Sequence, residues 1–294
     1  MNSIIKNILC LYLDTYDDIT NTLACLGDQN TYDIRYNLID CTVQFPLKFK
    51  LSELTLRYGW GEWVNDDHLQ HLSGIKKLVL SYSAQITDVG LQYLKGIDTL
   101  NLNYNIDTIT DEGLKHLTGI RELYLNSNMC ITDIGLQYLR GIHTLDLASA
   151  HAITNVGLQH LKGIHTLNIK KSVNVTDIGL QYLKGIYELN MCYNVKITDA
   201  GLEYITGVQI LELCNSTKIT NIGLSHLKGI KTLYLTHNHE ITDEGLEYIL
   251  GIQHLHLNYN SKITKKGLRT LKKAAKLQDM KEYSFVAYEK EIRR

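Results

Sequence analysis

From Leu54 onward the apolar residues follow two alternating patterns that recur together. In Ile120 to Asn128, Leu123 and Leu125 alternate with Glu122 and Tyr124, the period-two pattern of a strand with one buried face. In Ile131 to Leu139 the period changes: Leu136 and Leu139 stand three apart, so they share one helical face. Thr132 or Asp133 supplies an N-cap oxygen for that turn, and Gly141 ends it. The Gly-Leu pair of the second half recurs at Gly90, Gly113, Gly135, Gly157, Gly179, Gly201, Gly223, Gly245 and Gly267. The first interval is 23 residues and the other seven are 22. A degenerate copy precedes them at Asp66-Asp67-His68-Leu69, with His68 again 22 residues before Gly90. One such unit cannot bury its leucines alone, whereas stacked neighbours can, so the period predicts a solenoid.

The unit Leu-x-x-Leu-x-Leu-x-x-Asn followed by Ile-Thr-Asp-x-Gly-Leu-x-x-Leu resembles the leucine-rich repeat. It is closest to the Ile-Thr-Asp subclass found in F-box/LRR proteins, over residues 51–273. The resemblance implies an α/β leucine-rich-repeat solenoid, with parallel strands on a concave face and short helices on a convex face. The 22-residue unit is short for that subclass, so the convex segment is expected to be one or two helical turns.

Residues 1–42 do not follow the repeat and read as a small helical N-terminal module. Ile4 to Leu13 predicts one helix, Asp17 to Leu26 a second, and Tyr32 to Ile39 a third. Ile8-Leu9, Tyr12-Leu13, Asp18-Ile19, Leu23 and Cys25-Leu26 are similar to the hydrophobic pattern of an F-box. The Leu-Pro usual near its start and the Trp near its end are missing. That similarity implies a surface for a Skp-type adaptor made by Leu9, Leu13, Ile19 and Leu23. The other reading of the segment is a cap that seals the open end of the solenoid. Residues 43–279 form the repeat domain and 280–294 a C-terminal tail. Both tryptophans lie in Gly59-Trp60-Gly61-Glu62-Trp63, which lengthens the first unit.

Candidate chemistry narrows the picture. No Gly-rich phosphate loop, nucleophile elbow or His-Glu-x-x-His occurs, so neither a catalytic centre nor a cofactor is expected. The histidines His237, His239, His254 and His256 cluster on neighbouring turns, but alternate positions of one strand diverge, and no metal site is expected. With a net charge of −1 no global field draws nucleic acid or an anionic membrane. Six cysteines without C-x-x-C pairs, and none after Cys214, fit a reducing compartment, so the expected location is intracellular, cytoplasmic or nuclear. Cys192 and Cys214 occupy equivalent strand positions and read as two small residues in a stack.

The remaining signal lies on the concave face. One variable row, between the leucines, includes Tyr124, Asp146, Glu212 and Tyr234; a second, just beyond the strand, includes Tyr58, Tyr82, Tyr104, Lys171, Tyr193 and Tyr259. These positions change from unit to unit while the leucines do not. Tyrosine gives a large, stiff, amphipathic contact, so the rows are expected to hold a protein partner. With the resemblance, this implies a non-catalytic substrate-recognition subunit of a cullin-type ubiquitin ligase. The alternative is a general protein-binding scaffold whose first residues only cap the fold. On the convex side, Tyr93, His116, Tyr138, His160, Tyr182, Tyr204, His226 and Tyr248 share one equivalent position and are expected to pack between helices.

Overall fold

The structure, a computed structural model, describes residues 35–38, 53–56, 64–82, 85–105, 108–260 and 262–274. They fall into two units, one ending at Ile142 and one starting at His143. The first carries the strands β1 (Arg35–Leu38), β2 (Glu53–Leu56), β3 (Lys77–Val79), β4 (Thr99–Asn101) and β5 (Glu122–Tyr124). The second carries β6 (Thr144–Asp146), β7 (Thr166–Asn168), β8 (Glu188–Asn190), β9 (Ile210–Glu212), β10 (Thr232–Tyr234) and β11 (His254–His256). Within each unit consecutive strands pair in parallel and in register, so that Leu78 aligns with Leu100 and Leu189 with Leu211. Both units are leucine-rich-repeat solenoid, with parallel strands on one face and short helical turns on the other.

The register explains the core. From β3 to β11 each strand places a leucine inward from its centre and a second buried residue one past its end, a leucine except for Ile169 after β7 and Met191 after β8. Leu145 and Leu147 are buried, while Thr144 and Asp146 between and before them are half-exposed. The next repeat lays its own leucines directly beside them. From Asp66 to Leu183 each helical half is one α-turn running into a 3-10 turn, as in Asp133–Leu136 and Gln137–Leu139. Asp199–Glu203 and Asn221–Ser225 are single α-turns and Gly245–Ile249 a 3-10 helix, all short as the 22-residue period requires. Leu136 and Leu139 close the core from that side. Gly141 then reverses the chain at φ 82°, where a Cβ would be strained.

Two polar ladders join the repeats. The consensus Asn after the strand is buried and spans two rungs. Asn194 donates from Nδ2 to the Ser172 carbonyl at 3.0 Å, and its Oδ1 accepts from the Lys196 amide at 3.2 Å. The Thr-Asp pair divides its labour. Thr132 caps its own helix by accepting from the Ile134 amide at 3.2 Å. The aspartate instead reaches the next repeat: Asp111 accepts from the Thr132 amide at 2.8 Å and from its hydroxyl at 2.6 Å. Where asparagine stands in place of aspartate, Asn155 keeps the amide bond to Thr176 at 2.9 Å and turns its Nδ2 donor to the threonine hydroxyl.

The N-terminal reading needs one correction. Arg35–Leu38, inside the expected third helix, is a strand paired in parallel with β2, with Tyr36 beside Leu54 and Leu38 beside Leu56. Alternation at Tyr36 and Leu38 suits a strand as well as a helix, and the partner strand decides. The F-box-like positions Leu9, Leu13, Ile19 and Leu23, the tryptophan loop and Tyr58 lie outside the described residues. At the other end Lys265–Ala274 is a longer helix, and its basic face replaces the repeat pattern. Among the described residues no helix is long and apolar enough to cross a membrane.

Candidate protein-binding face

The solvent side of the strands carries the variable rows, and the backbone determines how far each side chain is free. The row between the leucines is half-exposed throughout: Tyr124 in the first unit, and Asp146, Glu212 and Tyr234 in the second. Part of this row serves the scaffold. Asp146 accepts from the Ala148 amide at 2.9 Å through Oδ1, and Asn168 and Asn190 do the same for Lys170 and Cys192, each at 3.1 Å. These amides sit where the strand ends, and an Asx side chain folding back two residues satisfies them locally. The preference for Asn and Asp in this row therefore has a backbone cause that the sequence reading took for freedom.

The row beyond the strand has a different constraint. Tyr82, Tyr104, Ser127, Ser149, Lys171, Tyr193, Asn215, His237 and Tyr259 all have φ between 60° and 64°. A left-handed backbone favours Gly or Asn, and a bulky residue there costs of order 1 kcal/mol or more. The amides of Tyr82, Tyr104, Ser149, Lys171, Tyr193, Asn215 and His237 are nonetheless anchored across the rung, as Tyr104 is to the Asn126 carbonyl at 2.8 Å. The side chains project outward: Tyr104, Tyr193 and Tyr259 are 38%, 44% and 42% exposed.

Rung spacing then aligns the rings. Parallel strands lie about 4.8 Å apart, close to the separation of stacked aromatic rings. In the first unit Tyr82 stacks on Tyr104 with centroids 4.5 Å apart. In the second, His237 stacks on Tyr259 at 4.4 Å and Tyr234 on His256 at 4.1 Å. Lys170 and Lys171 place their ammonium groups 5.6 Å and 5.8 Å from the Tyr193 ring. The expected residues thus gather by unit. Tyr82, Tyr104 and Tyr124 belong to the first, and Asp146, Lys171, Tyr193, Glu212, Tyr234 and Tyr259 to the second.

Sequence reasoning missed a third row, at the residue preceding each strand. His143, His165 and Tyr187 stack there at 4.5 Å and 4.6 Å. Their spacing of 22 residues was the available signal, but the period-two rule assigns that position to the leucine face, where a ring row in solvent is not looked for. The convex row is more open than expected, with Tyr204 and Tyr248 exposed and Lys115 lying 5.8 Å from the Tyr138 ring. His237 and His239 meet edge to face, and among the described residues no group of three His, Cys, Asp or Glu side chains is placed to hold a metal.

Charge on the second unit's face is tuned by burial. Burial pushes the Asp146 carboxyl above its ordinary value, against the Ala148 amide and the Asn168 and Lys170 side chains, which pull it down. Glu212 is raised by the same cause, with Lys170 opposing and Glu188 adding to the rise. Its Oε2 accepts from Asn190 Nδ2 at 2.8 Å. A carboxyl whose folded pKa is raised is destabilising when ionised, so its cost is present above the folded pKa and vanishes as pH falls toward the unfolded value. Asp146→Asn, which keeps the Oδ1 acceptor, is therefore expected to raise the thermal midpoint at neutral pH. It should leave the midpoint unchanged at a pH below the unfolded aspartate value. A lower midpoint at neutral pH would show that the charge is favourable where it sits.

The stacked rungs and the asparagine ladder are those of a leucine-rich-repeat solenoid, and its strand face carries the aromatic rows. The Leucine Rich repeat family matches residues 230–250. Among solved structures, yeast Rad7 in its complex with Elc1 is similar over 91% of this chain and 80% of that one, with a TM-score of 0.60 and 16% identity. An internalin from Listeria monocytogenes, inlF, is similar over 82% of this chain and 75% of that one, with a TM-score of 0.55 and 21% identity. The TLR13 chain of a complex with ssRNA13 matches 73% of this chain at 19% identity and a TM-score of 0.57. This chain spans only 33% of that chain. No curated protein matches the chain in sequence. At these identities the likenesses establish the fold.

Proposed function

We propose that the protein is a non-catalytic, intracellular recognition subunit, cytoplasmic or nuclear, that holds a protein substrate on its strand face. In this reading its N-terminal segment hands the substrate to a cullin-type ubiquitin ligase through a Skp-type adaptor. The observation that carries the binding role is the row of left-handed residues. Tyr82, Tyr104, Tyr193 and Tyr259 occupy a backbone conformation that suits glycine, yet present large aromatic side chains to solvent. Such strain, held by the surrounding ladder, fits a role in recognition better than a role in folding. The ligase role is supported by the F-box-like pattern at Leu9, Leu13, Ile19 and Leu23 and by the likeness to Rad7, a protein solved in complex with Elc1.

One observation favours the second reading, a plain protein-binding scaffold. Arg35–Leu38 pairs with β2, so part of the N-terminal segment is itself a rung of the sheet, as a cap would be. A pulldown of a Skp-type adaptor with its cullin separates the two. The full chain is expected to capture both, and a full-length Leu9→Ala, Leu13→Ala variant to lose at least tenfold of that capture while keeping the wild-type circular dichroism spectrum. Failure of the folded full chain to capture the adaptor would leave the scaffold reading standing.

A further inference from the structure

The strand face of the second unit holds a pair of thiols that the binding role does not use. Cys192 and Cys214 each lie two residues past the in-register pair Asn190 and Glu212, which end the neighbouring parallel strands β8 and β9. Rung geometry keeps them adjacent: the Tyr193 amide donates to the Cys214 carbonyl at 2.8 Å, and the Cys214 amide donates to Cys192 Sγ at 3.1 Å. Both are free thiols, Cys192 buried and Cys214 half-exposed. Their Cα atoms stand about one inter-strand spacing apart, roughly 4.8 Å, inside the range a disulfide spans.

The two sulfurs are not equivalent. The Cys192 thiol, donating to its neighbour, holds the Cys214 thiol down at about 7, against burial, which pushes it up. Bonds from Thr236 add to the fall. Cys192 is pushed well up by the same pairing and by burial. Its Sγ also lies 3.9 Å from Glu212 Oε2. Cys214 is the sulfur that solvent reaches and the one whose thiol is pushed down, while buried Cys192 lies against it, the division of labour between an attacking and a resolving cysteine.

We propose that Cys192 and Cys214 form a reversible oxidation site, at which a hydroperoxide converts Cys214 to a sulfenic acid and Cys192 closes it to a cross-strand disulfide. In the first step the Cys214 thiolate attacks one peroxide oxygen, the O–O bond breaks, and the departing oxygen takes a proton and leaves as water (as an alcohol from an organic peroxide). In the second, the Cys192 sulfur attacks the Cys214 sulfur, the S–O bond breaks, and the hydroxide leaves as water with the proton of Cys192. Two thiols are oxidised by two electrons and one peroxide is reduced. A dithiol reductant returns both sulfurs to thiols.

The test uses the full chain, reduced and then treated with one equivalent of hydrogen peroxide. Trypsin cleavage after Lys184, Lys196 and Lys218 puts the two cysteines on separate peptides, residues 185–196 and 197–218. The expected product is these two peptides joined, lighter by two hydrogens, and released by dithiothreitol. In the Cys192→Ser chain, dimedone is expected to label Cys214, because the resolving thiol is gone. In the Cys214→Ser chain, Cys192 is expected to stay reduced. Equal oxidation of the half-exposed Cys130, joining of either cysteine to another partner, or absence of dimedone label in a folded Cys192→Ser chain would each overturn the proposal.

Discussion

Replacing Gly135 by alanine will lower the stability of the first unit by about 3–5 kcal/mol. The position has no room. A Cβ on Gly135 would lie 2.3 Å from Asp111 Oδ1 and 3.0 Å from the Leu114 side chain. Asp111 cannot step aside without giving up its paired bonds to the Thr132 amide and hydroxyl. The substitution therefore combines overpacking with loss of a charge-assisted bond between repeats. Gly141→Ala is the internal control: nothing lies within 4 Å of its Cβ, so only the left-handed backbone at φ 82° resists, at about 1–2 kcal/mol. Adding Asp111→Ala to Gly135→Ala relieves the clash, so the double variant is expected to lose less than the sum of the two single changes. Denaturant midpoints would measure all four chains, and amide exchange at Thr132 would report the ladder directly. If Gly135→Ala and Gly141→Ala cost the same, the close approach of Asp111 is not what reserves this position for glycine.

That glycine shows where sequence reading stopped. The repeat, its two periods and the inward leucines were legible, because each rests on one chain's own alternation. The Gly-Leu pair was visible as a marker, but its cause lies in the aspartate of the preceding repeat. Only the stacking brings Asp111 and Gly135, 24 residues apart, within contact. The same holds for Thr-Asp, read as one cap and found to be a cap plus a link between repeats. Within the candidate site, the described residues of the inner row lie on strands and those of the outer row just past them, as their spacing implied. What the sequence did not carry was the sign of φ at Tyr82 and its equivalents, since tyrosine is not a residue that announces a left-handed turn. Nor did it separate Asp146, held by its own backbone, from Tyr193, which is exposed. The pairing of Arg35–Leu38 with β2 is a long-range choice between a helix and a strand that local pattern leaves open.

The second large effect is expected at Leu211, the centre of β9. Its side chain is fully buried and aligned with Leu189 on one side and Leu233 on the other, so it belongs to a column rather than to a single rung. Leu211→Ala removes about 2–5 kcal/mol, because neighbours fixed by parallel pairing close only part of the cavity. In a repeat array each unit contacts only its neighbours, so the loss should not spread evenly. Amides of β8, β9 and β10 are expected to exchange faster, while those of β3 and β4 keep their protection. The strand face above should follow, because Glu212 and Tyr234 are aimed by the same rungs. Tyr193→Ala separates the two consequences. Its exposed ring contributes little to folding, so its stability is expected to stay within about 0.5 kcal/mol of wild type while any partner held by the second unit's face binds at least tenfold less tightly. Leu211→Ala is expected to weaken the same partner only in conditions where the exchange rates show β8 to β10 opening. A Leu211→Ala chain that unfolds at the wild-type denaturant concentration would mean that the leucine column does not hold these rungs together. The face would then have to be positioned by the asparagine ladder instead.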